Sequence, residues 1–302
     1  MTRRASPPWE PNSWRFDAHA GREAGGGVKG GLTVSCVMVT RDVPDRRHLL
    51  RQSVRDFHRQ TYRPRELVVV AEAVDAAGFG RIRDAVESVP GEASVRVIEV
   101  DPGPTLGALR NRSMDEASGD LFCQWDDDDR HHPERLAVQV AGLEMGRHAA
   151  IYLREVVHYF SLDRIATIAT WAPTRYAGHP GTLLVRRSAE ARYPEDGPFS
   201  RRGEDSACHD LLASRASIGA VERMPHLFAY VHHGSNTWEQ EHHTRLALGL
   251  SLSPALVARR QAELRKGLIE LALTHEALEV RARDRLAFIL PATSEADGGD
   301  SG

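Results

Sequence analysis

The sequence has 302 residues, of which 41% are hydrophobic and 27% are charged, and its formal net charge is −3. A chain of this composition can bury a sizeable core and belongs to the globular class. The slight acidic excess argues against a nucleic-acid-binding surface, and no apolar run approaches the roughly 18 residues of a membrane span. The three cysteines are widely spaced and form no CxxC pair, which favours a reducing cytoplasm.

Both ends of the chain are predicted to be disordered tails. Residues 1–30 are rich in proline, glycine and arginine and show no apolar periodicity. They also lack the apolar segment of a secretory signal. The last ten residues, 293–302, end in EADGGDSG. We expect residues 1–28 to be dispensable for folding.

Strands and helices are predicted to alternate in the first half of the chain. Short apolar, β-branched runs predict strands at Leu32–Thr40, Glu66–Ala71, Ser94–Val100 and Leu121–Trp125. Helical spacing of apolar residues predicts helices around Leu49–Phe57, Phe79–Ser88 and Thr105–Ala117. This alternation indicates βαβ units and therefore a parallel sheet.

The rhythm changes after Pro133, which is predicted to open a helix that reaches about Gly146. The following segments are rich in strand-like runs with little helix between them, so we expect a mixed sheet built onto the parallel half. We assign one α/β domain to residues 31–240 and a charged helical extension to residues 241–292.

Four consecutive carboxylates, Asp126–Asp129, directly follow the fourth predicted strand. In open parallel sheets, ligands bind beyond the carboxyl ends of the strands. Acids placed there can hold Mg²⁺ or Mn²⁺ through oxygen, and the cation can bind a diphosphate. Asp126 and Asp128 face the same side if the extended conformation persists. The alternative is a solvated acidic turn, which the position between a buried strand and a helix makes less favourable.

Four blocks occur in a fixed order along the chain. They are VSCVMVT with the later QTYRPRELVVV, LGALRNRSMDEASGD with WDDDDRHHPERL, RGED at 202–205, and YVHHG at 230–234. Residues 32–240 therefore resemble glycosyltransferase family 2. The ordered set carries the resemblance, because any one block alone is a weak signal.

The resemblance implies a GT-A fold, which is a Rossmann-like α/β sandwich. It implies an inverting, hexosyltransferase-like transfer of a sugar from a nucleoside-diphosphate sugar to an acceptor hydroxyl, with Mn²⁺ or Mg²⁺ as cofactor. A UDP-sugar is the favoured donor, and the acceptor is unknown. Contact between the basic C-terminal helix and an anionic membrane surface is compatible with the sequence.

The resemblance also assigns roles to individual residues. Metal binding falls to Asp126, Asp128 and His233, with His232 as the alternative histidine, because the register of that strand is not visible in the sequence. Residues expected to contact the donor are Thr40, Glu72, Arg110, Asn111, Asp127 and Gly181.

Asp205 is the expected general base, which takes the proton of the acceptor hydroxyl during a single displacement. Glu204 beside it is expected to position the acceptor or the loop. Both acids can equally be first-turn residues that the helix dipole favours. In the same way, Arg110 can be an ordinary surface arginine and Thr40 a plain turn residue.

One segment departs from the family pattern. The family commonly ends its second strand with two acids and then Gly-Ser, whereas this chain has Ala71, Glu72, Ala73 and Val74. Only one acid is retained, which leaves the identity of the nucleotide open.

Two other functions fit parts of the same pattern. A nucleotidyltransferase also uses an α/β sheet with acidic metal ligands, but its first strand is usually followed by a glycine-rich basic loop. Here that segment is TRDVPDRRH, which has no glycine. A binding module that kept the fold and lost turnover is the second alternative, and a transfer assay separates it from an enzyme.

Overall fold

A computed structural model describes residues 31–292, so the two predicted tails lie outside the described residues. Within that range the chain forms thirteen strands, which are β1 (Val34–Arg41), β2 (Arg65–Glu72), β3 (Ser94–Val100), β4 (Leu121–Gln124), β5 (Arg130–His131), β6 (Ala150–Leu153), β7 (Glu155–Phe160), β8 (Ile165–Thr170), β9 (Leu184–Arg186), β10 (Ile218–Val221), β11 (Phe228–His232), β12 (Leu278–Ala282) and β13 (Arg285–Leu290). The same residues form eight α-helices, which are α1 (Arg47–His58), α2 (Ala76–Glu87), α3 (Leu106–Glu116), α4 (Arg135–Met145), α5 (Glu204–Ala213), α6 (Gln240–Gly249), α7 (Pro254–Arg259) and α8 (Gln261–Leu271).

The first sheet has seven strands in the order β10-β6-β9-β4-β1-β2-β3. Strands β4, β1, β2 and β3 are parallel to one another, which confirms the predicted βαβ units, whereas β9 pairs with β4 in the antiparallel direction. Strand β2 is buried along its whole length because helices cover both faces. Val69 packs in the cluster that contains α1 and α2, whereas Val68 packs with Met114 of α3.

The second sheet has six strands in the order β13-β12-β8-β7-β11-β5. Its pairs are mixed, with β7 antiparallel to β8 and parallel to β11. The predicted division into a parallel first half and a mixed second half is therefore confirmed.

The C-terminal segment is helical over α6–α8, as predicted, but residues 278–290 form the hairpin β12–β13 instead of a helix. Leu278, Val280 and Ala282 are buried, and the intervening Glu279 and Arg281 are partly exposed. This period of two is the pattern of a half-buried strand, and the density of charged residues concealed it in the sequence. No helix between residues 31 and 292 has the length and apolar character of a membrane span.

The chain is anchored on both sides of the four carboxylates, which we call the acid turn (residues 126–129). Trp125 is fully buried, and its ring stacks on His131 with 3.7 Å between centroids. The backbone N–H of Trp125 donates to the carbonyl of Val37 in β1 at 3.1 Å. On the far side, β5 pairs with β11, so both sheets hold the acid turn.

Asp56 of α1 ties this region to the core, and we expect Asp56→Ala to lower the free energy of unfolding by about 3 kcal/mol. Asp56 is fully buried and accepts hydrogen bonds from Arg130 Nε at 2.7 Å and from the backbone N–H of His131 at 3.0 Å. Its loss leaves the buried guanidinium without a carboxylate.

The matched control is Asp115→Ala, which removes an exposed pair with Arg192 and should change stability by about 0–1 kcal/mol. Urea unfolding followed by circular dichroism measures both variants. Equal effects of the two substitutions would contradict the assigned role of Asp56.

Candidate active site

A cavity of about 650 Å³ opens at the carboxyl ends of β1 and β4. The first half of the chain lines it with Thr40, Arg46, Arg110 and the acid turn. The second half contributes residues around Gly181, the start of α5, and the segment after β11. This is the edge at which a parallel sheet binds its ligands.

The acid turn does not continue the strand before it. Strand β4 ends at Gln124, and residues 127 and 128 form a hydrogen-bonded turn. The strand alternation expected for Asp126 and Asp128 therefore does not apply, and the two carboxylates have different partners. Asp126 Oδ1 accepts from Arg110 Nη1 at 2.7 Å, whereas Asp128 Oδ2 accepts from Arg46 Nη2 at 2.8 Å.

Arg46 is the main counter-charge on the outer side of the acid turn. The same Nη2 atom also donates to Asp127 Oδ1 at 2.8 Å, so one nitrogen bridges two carboxylates. The other oxygen of Asp127 accepts from the hydroxyl of Thr40 at 2.6 Å. Thr40 and Asp127, both predicted to contact the donor, thus lie side by side in the cavity.

The carboxylates of the acid turn carry more negative charge than their partners neutralise. Burial, with the charge of Asp128, raises the pKa of Asp127 to about 6 although Arg46 opposes the shift. Burial and the same neighbouring charge raise the pKa of Asp129 well above its ordinary value. Burial also acts to raise the pKa of Asp128, but the hydrogen bond with His233 and the charge of Arg46 outweigh it and lower that pKa.

The donor chemistry of the acid turn fits the divalent cation that the family resemblance implies. Asp128 Oδ2 and His233 Nε2 lie 3.1 Å apart, and carboxylate oxygen with imidazole nitrogen suits Mn²⁺. Asp126 instead faces Arg110 and Gln124. Across residues 31–292, no three His, Cys, Asp or Glu side chains are arranged to hold a metal ion. The structure therefore brings two of the three expected ligands together and keeps Asp126 apart.

Arg110 connects the acid turn with α5. Its guanidinium is buried, and Nε donates to Glu204 Oε1 at 2.9 Å while Nη1 binds Asp126. Glu204 is itself 4% exposed, and its carboxylate holds Arg110 at the border of the cavity. Arg110 is therefore a buried bridge and not an ordinary surface arginine.

Asp205 lines the cavity from the first turn of α5. Burial and the charge of Glu204 raise the pKa of Asp205 to about 7, against the opposing charge of Arg110. Gly203, with φ of 77°, precedes the helix in a conformation that glycine adopts without strain. A carboxylate with a pKa near neutrality can accept a proton at neutral pH and release it again.

Two residues that were expected to contact the donor lie outside the lining of the cavity. The side chain of Asn111 binds the backbone of Tyr193 in both directions, as donor to its carbonyl and as acceptor from its N–H, each at 2.9 Å. Glu72 pairs with Arg41 and accepts from the N–H of Gly103 at 3.3 Å. Asn111 thus holds a loop, and Glu72 lies behind Arg41. Gly181 does line the cavity, and a Cβ there would lie 3.6 Å from Asp126 Oδ2.

The structure also separates the histidines of YVHHG. His233 contacts Asp128, whereas His232 packs against Phe160 and His243. His243 of α6 is 1% exposed because its ring packs against Tyr230 and His232 of β11. The ring of Trp238 stacks on His242 with 4.2 Å between centroids.

The sequence analysis missed Arg46, although a signal was present. Arg46 lies in the basic segment directly after β1, and that segment must run along the same edge as the acid turn. The sequence also did not identify three further arginines of the cavity lining, Arg175, Arg201 and Arg202. No local pattern distinguishes them from surface arginines, since only the fold brings them to the cavity.

Comparison with known proteins gives a family and a fold. Residues 35–181 match the model of glycosyl transferase family 2. No curated protein sequence matches the chain. A mannosyltransferase from Pyrobaculum calidifontis, solved with GDP-Man and Mn²⁺, is similar in structure with a TM-score of 0.50 and 15% identity, over 79% of this chain and 72% of that one. S. aureus TarS 1-349 has a TM-score of 0.48 and 13% identity, over 80% of each chain.

The raised pKa of Asp205 predicts a pH-dependent effect on stability. Its folded pKa of about 7 exceeds the ordinary value of about 3.9, so ionisation of Asp205 opposes folding increasingly as pH rises between these values. We expect Asp205→Asn to be more stable than the wild type at pH 8 by up to about 4 kcal/mol, since each pKa unit between the two values corresponds to about 1.4 kcal/mol. Urea unfolding of both proteins from pH 4 to pH 8 measures the difference. A difference that stays constant with pH would contradict the assignment.

Proposed function

Because this chain carries a glycosyl transferase family 2 domain, we propose that it transfers a sugar from a nucleoside-diphosphate sugar to an acceptor hydroxyl, with inversion at the anomeric carbon. The observation that carries the proposal is the pairing, in one cavity, of the acid turn with a separate carboxyl of raised pKa, Asp205. The similar mannosyltransferase solved with GDP-Man and Mn²⁺ supports a nucleotide-sugar donor.

The donor side of the cavity is the edge formed by β1 and β4. Thr40 and Asp127 are hydrogen-bonded to each other there and offer acceptor oxygen atoms to the hydroxyl groups of a ribose. Arg46 adds a guanidinium, which matches phosphate geometry well. A UDP-sugar is the first donor to test, although the single acid at Glu72 leaves the identity of the nucleotide open.

Inverting transfer is one displacement at the anomeric carbon. The acceptor oxygen forms a bond to that carbon while the bond to the diphosphate breaks, and the acceptor proton passes to Asp205. Asp205 has a pKa of about 7, so a substantial fraction is ionised at neutral pH. Glu204 holds Arg110 and thereby fixes the first turn of α5, from which Asp205 reaches the cavity.

We assign the divalent cation to Asp128 and His233, which are already in contact. Mn²⁺ or Mg²⁺, when bound, neutralises the charge that develops on the leaving nucleoside diphosphate. Asp128 is suited to this role because its pKa is lowered and it stays ionised at neutral pH. Asp126 is the remaining candidate ligand, and Arg110 holds it in place.

Asp205→Asn should lower transfer by roughly 10²-fold or more, the scale of a lost general base, and leave donor binding intact. The wild-type rate should rise with pH up to about 7 and then level off, since only the ionised carboxylate accepts a proton. Single-turnover transfer measures the rate, and calorimetry measures donor affinity.

The pH dependence is an internal control, because the rise of the transfer rate with pH below about 7 should disappear in Asp205→Asn. Near wild-type transfer by this variant would remove Asp205 as the base. Absence of transfer by the wild type, in contrast, would favour the non-catalytic binding module.

Asp128→Ala should abolish the stimulation of nucleotide binding by Mn²⁺ while the fold remains intact, since the side chain lies at the cavity surface. Calorimetric titration of UDP with and without Mn²⁺ measures this, and circular dichroism checks the fold. The control is Asp210→Ala, which removes a carboxylate of the same cavity that pairs with Arg175. Full transfer activity of the wild type in excess chelator would overturn metal dependence.

A further inference from the structure

Three arginines line the cavity beyond the candidate base. Arg175, Arg201 and Arg202, which we call the outer arginines, are all exposed residues that border the same space as Asp205. The arginines of the donor side, Arg46 and Arg110, are bound to carboxylates of the acid turn. The outer arginines need a separate explanation because they do not contact the acid turn.

Two of the outer arginines are not neutralised by the protein. Arg175 pairs with Asp210 at 2.7 Å. Among residues 31–292, neither Arg201 nor Arg202 has a carboxylate within 4.0 Å of its guanidinium. Arg201 Nη2 donates to the carbonyl of Gly103 at 3.4 Å, and Arg202 Nη2 donates to the carbonyl of Thr237. A guanidinium has five N–H donors, so most of them remain available in each.

The chain places these cations close to Asp205. Arg202 precedes Asp205 by three residues, which span at most about 11 Å. Arg202 also lies against the second half of the chain, since it sits over the ring of Trp238 at 4.5 Å. A group that Arg202 binds therefore lies within reach of Asp205, where the proposed function places the acceptor hydroxyl.

Trp238 is less available for stacking on a sugar ring. Trp238 already contacts the guanidinium of Arg202 and stacks on His242 with 4.2 Å between centroids. A neutral sugar acceptor would leave two cations without a counter-charge. A phosphate or carboxylate matches the fork of N–H donors on a guanidinium.

We propose that the acceptor carries an anionic group, a phosphate or a carboxylate, which Arg201 and Arg202 bind while its hydroxyl lies at Asp205. The inference rests on the proposed function, because it names the substrate class of the same site. Binding of an anionic acceptor requires no change in the donor subsite, since Arg46 and Arg110 remain paired with the acid turn.

The experiment compares three probes that share one sugar ring: glucose 6-phosphate, glucuronate and glucose. Calorimetry measures their binding to the full chain, with and without UDP and Mn²⁺. The test variant is Arg201→Gln/Arg202→Gln. The control is Arg192→Gln/Arg215→Gln, which removes the same charge from two exposed arginines outside the cavity lining.

We expect one or both anionic probes to bind the wild type and the control at least about tenfold more tightly than glucose. The test variant should lose that preference and bind UDP normally. Preference for glucose 6-phosphate over glucuronate identifies a phosphate, and the reverse identifies a carboxylate.

Equal binding of all three probes, or an unchanged preference in the test variant, overturns the inference. Loss of UDP binding in the test variant also overturns it, because the arginines would then serve the donor. If UDP binds none of the proteins, the proposed donor chemistry fails. The anion comparison without UDP still decides whether Arg201 and Arg202 form an anion site.

Discussion

Four consecutive carboxylates at the end of β4 have to be neutralised where water is partly excluded, and much of the surrounding structure serves this requirement. A buried carboxylate is unfavourable unless it is paired or hydrogen-bonded. The partners come from segments far apart in the chain: Arg46 follows β1, Arg110 lies on α3, and His233 follows β11. Even so, the pKa of Asp127 and of Asp129 is raised. The remaining negative charge is what a divalent cation would relieve.

Arg110 connects this arrangement to helix α5. By binding Asp126 and Glu204 at once, it fixes the distance between the acid turn and the first turn of α5. The environments on the two sides differ, so the pKa of Asp128 is lowered while that of Asp205 is raised to about 7. Carboxyl groups whose pKa values are separated in this way can take different chemical roles, one as a permanent anion and the other as a base.

The second half of the chain supports the site as well as lining it. Asp129 accepts from the backbone N–H of Val231 at 2.9 Å, which fixes β11 beside the acid turn. Arg130 binds Asp56 and also the carbonyls of Leu271 and Ala272 at the end of α8. The C-terminal helices are therefore connected to the acid turn through one buried arginine. Its partners belong to two segments that are far apart in the sequence, helix α1 and residues 271–272.

The sequence by itself determined the alternation of strands and helices, the parallel strands β1–β4 and the position of the acid turn, because these depend on local periodicity. It also placed Thr40, Asp127, Gly181 and Asp205 near one sheet edge, through the ordered motifs. Only the tertiary structure decided which side chains meet. The side chain of Asn111 binds a loop, Asp126 binds Arg110, and His233 binds Asp128. These partners could not be predicted from the sequence, because each contact joins different segments of the chain. The hairpin at 278–290 likewise depends on tertiary structure, because β12 pairs with β8, and the charged residues of this segment do not indicate that pairing.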